Sequence, residues 1–129
     1  MFTAEKIKEA HSKVKSGADF PAYIQEIKKM GVTHYECYVA DGHTDYHGAN
    51  GYTATVAAKY EPLAIAATLN TDEFKAELKA HQQGKTDFLT FITMCAGTGI
   101  EKWAISIKEM TCTYYGKTGE EVLTEQIPG

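Results

Sequence analysis

Cysteine is scarce in this chain and badly spaced for chemistry. Cys37, Cys95 and Cys112 are odd in number and form no CxxC pair, which argues against a disulfide framework and a zinc knuckle and fits a reducing compartment with buried, inert thiols. Proline is equally rare, at three residues, and the 43% hydrophobic and 23% charged composition is not that of a disordered or collagen-like segment. Basic clusters are missing too. The net charge is −4, the pI is near 5.7, and glutamates separate the lysines, so no nucleic-acid partner is expected. No apolar run approaches an uncharged membrane span, and the opening MFTAEKIKEAHSKV is charged within its first six residues. A cytoplasmic protein with neither an export signal nor a membrane partner is the expectation.

Phosphate loops are lacking as well. Gly84-Lys85-Thr86 ends like one, but Lys79 stands where the earlier glycine is needed, and the stretch follows a helix pattern instead of a strand. Gly97 and Gly99 likewise follow a helix, so they read as stop signals and not as a dinucleotide fingerprint.

What is there is a change of period. Thr3 can cap a helix running to about Lys15, with Ile7, Ala10, His11 and Val14 on one stripe and Ser16-Gly17 as its close. Asp19 can cap a second, with Pro21 in its first turn, Tyr23, Ile24, Ile27 and Met30 on its apolar face, and Gly31 as its stop. From Val32 the pattern alternates. A two-residue Asp41-Gly42 turn sets Tyr38 against Asp45, Cys37 against Tyr46 and Glu36 against His47. Tyr35, Cys37, Val39, Thr44 and Tyr46 then share the core side, and His34, Glu36, Tyr38, His43, Asp45 and His47 the other. A three-residue Ala49-Asn50-Gly51 loop puts Ala54 and Val56 beside Tyr46 and Thr44, with Gly51 left-handed.

Further on, Leu63 to Leu69 reads as a fourth strand. Thr71 caps a helix that stops at Gly84, and Thr86 caps another whose Phe88, Leu89, Phe91, Ile92, Met94 and Cys95 spread widely enough to demand burial on most sides. Trp103, Ile105 and Ile107 alternate, and the apolar phase then moves to Met110, Cys112 and Tyr114, as a bulge would move it. Gly116 to Gly119 turns the chain into a last strand over Glu120 to Ile127, with Pro128-Gly129 at its end. Without repeat or linker, this reads as one α+β domain over residues 1–129. It has an N-terminal helical hairpin and a mainly antiparallel sheet of about five to six strands with helices packed on one face.

The candidate chemistry lies on the polar side of the meander. His34, Glu36 and His47 are two imidazoles and a carboxylate within cross-strand reach, a set that in kind could hold a divalent transition metal, with Tyr38, His43 and Asp45 close by as a wider ligand-binding face. Alternating polar residues are also what water requires of a half-exposed sheet, and that plainer reading is the expected one. His81 and Gln82, at the end of the third helix, form a second candidate that could line a pocket or simply cap carbonyls. The eight tyrosines could floor a pocket, although strands favour tyrosine for packing alone. Neither catalytic residues nor a cofactor are specified.

AHSKVKSGADFPAYIQ, DGHTDYHG, AHQQGKTDFLTF and EKWAISIKEMTCTYYGKTGEEVLTEQIP together resemble a family of small bacterial proteins of unknown function, some of them labelled phage envelope protein. The resemblance implies a prophage or accessory-gene context and brings no activity, substrate or site residue. The function expected is a non-enzymatic binding or accessory domain, able to form a homo-oligomer through a sheet edge or its tyrosine-bearing strands. The alternative is a small metal-dependent or acid–base enzyme working on the meander's polar face.

Overall fold

The computed structural model describes residues 2–14, 19–58 and 60–127, the Phe88 side chain excepted. Helix α1 (Ala4–His11) begins where Thr3 accepts the Lys6 amide at 3.2 Å. It ends earlier than its stripe suggests, with Ser12 at the cap; the Ser16-Gly17 stop lies outside the described residues, as does the Pro128-Gly129 end. Helix α2 (Phe20–Met30) carries Pro21 in its first turn and stops at Gly31, whose φ of 106° needs a residue without a β-carbon. Asp19 holds the N-cap position there without a side-chain capping bond.

Strands β1 (Val32–Tyr38), β2 (Thr44–Gly48) and β3 (Thr53–Val56) form the meander. Its first turn differs from expectation. His34 pairs with His47, Tyr35 with Tyr46, Glu36 with Asp45 and Cys37 with Thr44, so the partner of each β1 residue is two positions from the predicted one. A tight Asp41-Gly42 turn would pair Ala40 with His43, but those backbones have other partners. The Val39 amide donates to the Glu101 carbonyl at 2.8 Å, the Ala40 carbonyl accepts from Leu63 at 2.6 Å, and Tyr38 closes the hairpin on His43 at 3.0 Å. The Asp41 carboxylate takes the His43 amide at 3.0 Å, an Asx turn that widens the loop. A slip of two leaves every side chain on its predicted face: Tyr35, Cys37, Val39, Thr44 and Tyr46 are all buried. The second turn is the three-residue one, with Ala54 opposite Tyr46, Val56 opposite Thr44 and Gly51 at φ 77°.

Residues 57–70 contain no strand among those described. The segment is held as irregular chain, its Leu63, Ala66 and Asn70 amides donating to the carbonyls of Ala40, Ala96 and Thr98. Leu63, Ile65 and Leu69 meanwhile pack on the core. Gly99 lets it approach, since a β-carbon there would sit 2.9 Å from the Leu69 Cα. Helix α3 (Thr71–Gln82) is capped by Asn70, not Thr71, and α4 (Phe88–Gly97) by Asp87, not Thr86. Nor is α4 buried all round: Phe91, Ile92, Cys95 and Ala96 are covered, but Leu89 is 60% exposed.

Strands β4 (Ile100–Ser106), β5 (Thr111–Gly116) and β6 (Glu121–Gln126) complete the sheet. What reads as a bulge is a chain reversal: the turn between Ser106 and Thr111 pairs Ile105 with Cys112 and Trp103 with Tyr114, and Met110 takes φ 54° in it. The six described strands are all antiparallel in the order β3-β2-β1-β4-β5-β6. The fold is α+β, as expected. Helix α1 packs on α2 and β3, α2 on β1, and α4 on α3 and β4, and the Phe74 ring of α3 meets Tyr114 of β5 at 4.9 Å. Two helical hairpins thus share one face of the sheet, each over its own half.

Candidate functional site

The polar face carries all six predicted meander residues, arranged in pairs. His34 and His47 stack with ring centroids 4.4 Å apart and planes 9° apart, and Tyr38 and His43 stack at 4.4 Å and 6°. Glu36 reaches His47 only at 4.0 Å, because its other oxygen takes the Lys102 ammonium at 2.7 Å. That bond is the leading cause of a raised Lys102 pKa. His43 Nδ1 lies 2.6 Å from the Asp41 carboxylate, and Asp45 accepts from the Thr55 hydroxyl at 2.9 Å.

Stacked rings aim their nitrogens along parallel planes, whereas a shared metal needs lone pairs that converge. His34 Nδ1 also lies 3.0 Å from the Thr33 hydroxyl. Among the described residues no three His, Cys, Asp or Glu side chains are grouped to hold a metal ion. The face brings His34 and His47 together and couples Glu36 to Lys102 instead. Burial and the neighbouring His47 lower the His34 pKa. Lys102, on β4, has no local sequence signal linking it to the meander.

The second candidate lies elsewhere. His81 and Gln82 line a cavity of about 460 Å³ between the two helical hairpins, floored by the core side of the sheet. The volume falls within the range of about 300–1,000 Å³ usual for small-molecule sites. Its deep wall is built by period-two alternation: Tyr35 and Cys37 from β1, Thr44 and Tyr46 from β2, Trp103 from β4, Cys112 and Tyr114 from β5, all buried. Helical spacing brings Tyr23 down from α2, Leu78 and His81 from α3, and Phe91 from α4. Half-buried or exposed residues, His11, Phe20 and Pro21 on one side and His81, Gln82, Glu125 and Gln126 on the other, mark its mouth. There the Gln82 amide donates to Glu125 at 2.7 Å, linking α3 to β6.

Two aromatic groups line this space. On the α2 side Tyr35 lies between Tyr46, at 4.8 Å between ring centroids, and Tyr23, at 6.4 Å, while the Tyr23 and Tyr46 hydroxyls share a hydrogen bond of 2.7 Å. On the α3–α4 side His81 stacks on Phe91 at 4.2 Å, Phe91 lies 5.6 Å from Trp103, and Trp103 lies 6.1 Å from Tyr114. His81 Nδ1 is 3.0 Å from the Thr86 hydroxyl.

Burial sets the charge state. Desolvation raises the pKa of Tyr23, Tyr35, Tyr46 and Tyr114, pushes the Cys112 thiol up to about 12, and lowers that of His81. At neutral pH these groups are uncharged. Cys37, Cys95 and Cys112 are buried and outside any disulfide, as expected. The sequence pattern assigns Tyr35 and Tyr46 correctly to the core side but does not show that the core is hollow beside them; tyrosine enrichment and the His81-Gln82 candidate were the hints.

A family model described as "Protein of unknown function (DUF1398)" matches residues 8–126, a span that includes every cavity-lining residue named here. No curated protein matches the chain.

Proposed function

The chain belongs to the DUF1398 family of proteins of unknown function, and we propose that it is a non-enzymatic small-molecule-binding domain whose site is the cavity between the helical hairpins. The observation that carries this reading is a space of about 460 Å³ lined by Tyr23, Tyr35, Tyr46, Phe91, Trp103 and Tyr114. A core with no use for that volume would close on it, since close packing returns dispersion energy for every gap filled. Binding fits better than turnover. The lining thiol of Cys112 and the phenols are held protonated, whereas a nucleophile needs its pKa lowered. Buried thiols outside any disulfide also fit a reducing compartment such as the cytoplasm. Among the described residues no helix is long and apolar enough to cross a membrane.

The single tryptophan of the chain, Trp103, lines the cavity, so its emission reports occupancy directly. Titration with neutral naphthalene and indole compounds, followed by Trp103 fluorescence and calorimetry, is expected to give saturable one-to-one binding. Cys112→Phe, which adds bulk at the cavity wall, should remove it while near-ultraviolet circular dichroism stays native. Absence of saturable binding by every compound would refute the reading. So would binding indifferent to Cys112→Phe and lost in His47→Ala, which would move the site to the polar face.

A further inference from the structure

We infer that the ligand is an uncharged, planar aromatic carbonyl compound, held through its carbonyl oxygen by the Tyr35 hydroxyl. This rests on the cavity reading above and adds the chemistry of the occupant. Tyr35 is 3% exposed, and its hydroxyl makes no hydrogen bond with any described residue, while the neighbouring Tyr23 and Tyr46 hydroxyls satisfy each other at 2.7 Å. No fully enclosed side-chain nitrogen or oxygen among the described residues lacks a partner, so the Tyr35 oxygen touches open space. Its ring contacts with Tyr23 and Tyr46 place that space on the cavity side of the sheet.

The Tyr35 hydroxyl is thus open to an occupant of the cavity, and a phenol donates more strongly than it accepts. The group that suits it best is therefore an acceptor, and a carbonyl oxygen offers two lone pairs. Charge selects further. The chain contains no arginine, and no lysine stands among the described lining residues. Among the described lining residues the carboxylate at the mouth is Glu125, engaged by Gln82. A carboxylate would lose its hydration without a counter-charge and pass an acidic side chain on entry. Shape follows from the aromatic lining, which favours a flat ring that stacks on it or meets it edge to face.

Three compounds of nearly one shape separate these statements: 2-acetylnaphthalene, 2-ethylnaphthalene, in which a methylene replaces the carbonyl, and 2-naphthoate. Calorimetry on the full chain should show the ketone binding about five- to tenfold more tightly than the hydrocarbon, the range that one net hydrogen bond supports, with 2-naphthoate weakest. In Tyr35→Phe the ketone and hydrocarbon should converge to within about twofold, the hydrocarbon keeping its affinity. Wild-type protein supplies a second readout that needs no variant to fold: the C=O stretch of the bound ketone should lie at lower wavenumber than that of the same ketone in an apolar solvent. Failure of all three compounds to bind overturns this inference and the cavity reading together. Hydrocarbon binding as tight as ketone binding, a preference that survives Tyr35→Phe, a bound C=O stretch at its apolar-solvent value, or tightest binding by 2-naphthoate overturns the inference alone.

Discussion

His81 shows how one residue can tie the site to solution conditions. Its ring lies flat on Phe91 at 4.2 Å, and burial lowers its pKa from the ordinary 6.5, against smaller opposing effects of Thr86 and Asp87. The folded imidazole therefore takes a proton less readily than the unfolded one, so unfolding takes up protons as the solution is acidified. The stability held by neutral His81 is complete above about 6.5 and is lost as the pH falls through the lower, folded value. In urea unfolding at pH 7.5 and pH 5.5 the wild type should lose stability on acidification, and His81→Phe should lose measurably less. Since His34 is shifted the same way, the difference between the two proteins, and not the wild-type slope, is the informative quantity. An equal slope in both would show that the His81 ring is not desolvated in the folded state.

The helix starts separate what is local from what is not. Thr3 was legible as a cap because nothing competes for it, and the Lys6 amide is bound there. At α3, Asn70 and Thr71 stand side by side, and the sequence favours the one followed by two acidic residues. The Asn70 amide, however, is drawn to the Thr98 carbonyl at 2.8 Å, which fixes Asn70 just outside the helix and leaves its side-chain oxygen to take the Glu73 amide at 3.2 Å. Asn70→Ala should therefore destabilise the protein by about 1 kcal/mol and Thr71→Ala by less than about 0.5 kcal/mol, read from denaturation midpoints. The reverse order would return the cap to Thr71. The same logic runs through the meander. Face assignment was legible because period two is a local property, and it survived the slip. Register was not, because Val39 and Ala40 are committed to Glu101 and Leu63, partners that no local pattern reveals. The polar face was legible as a set of residues, but its pairing was not, since Lys102 arrives from a strand remote in sequence to take Glu36.

At the scale of the whole molecule, the sheet presents two unlike faces: one of stacked and ion-paired polar side chains, the other hollow between two helical hairpins. A hollow is a property of how elements sit together, so no window of the sequence contains it; only His81 and Gln82 were marked as pocket residues beforehand. The arrangement predicts how a ligand should be felt. Tyr23 reaches the cavity from α2, Leu78 and His81 from α3, and Phe91 from α4, so an occupant bridges α2 to the α3–α4 pair, which otherwise meet mainly through the sheet. Binding to the folded state alone stabilises it by about 2.7 kcal/mol at a hundred times the dissociation constant, or roughly 8–15 °C in melting temperature for a domain of this size. With 2-acetylnaphthalene at that excess, amide hydrogen exchange should slow in α2 and in α3 and α4 together. Replacing Glu36 and His47 by glutamine should leave both the slowing and the melting shift in place. Protection confined to one hairpin would place the ligand on an outer surface of that hairpin. Protection confined to β1 and β2, and lost with Glu36 and His47, would give the binding role to the polar face.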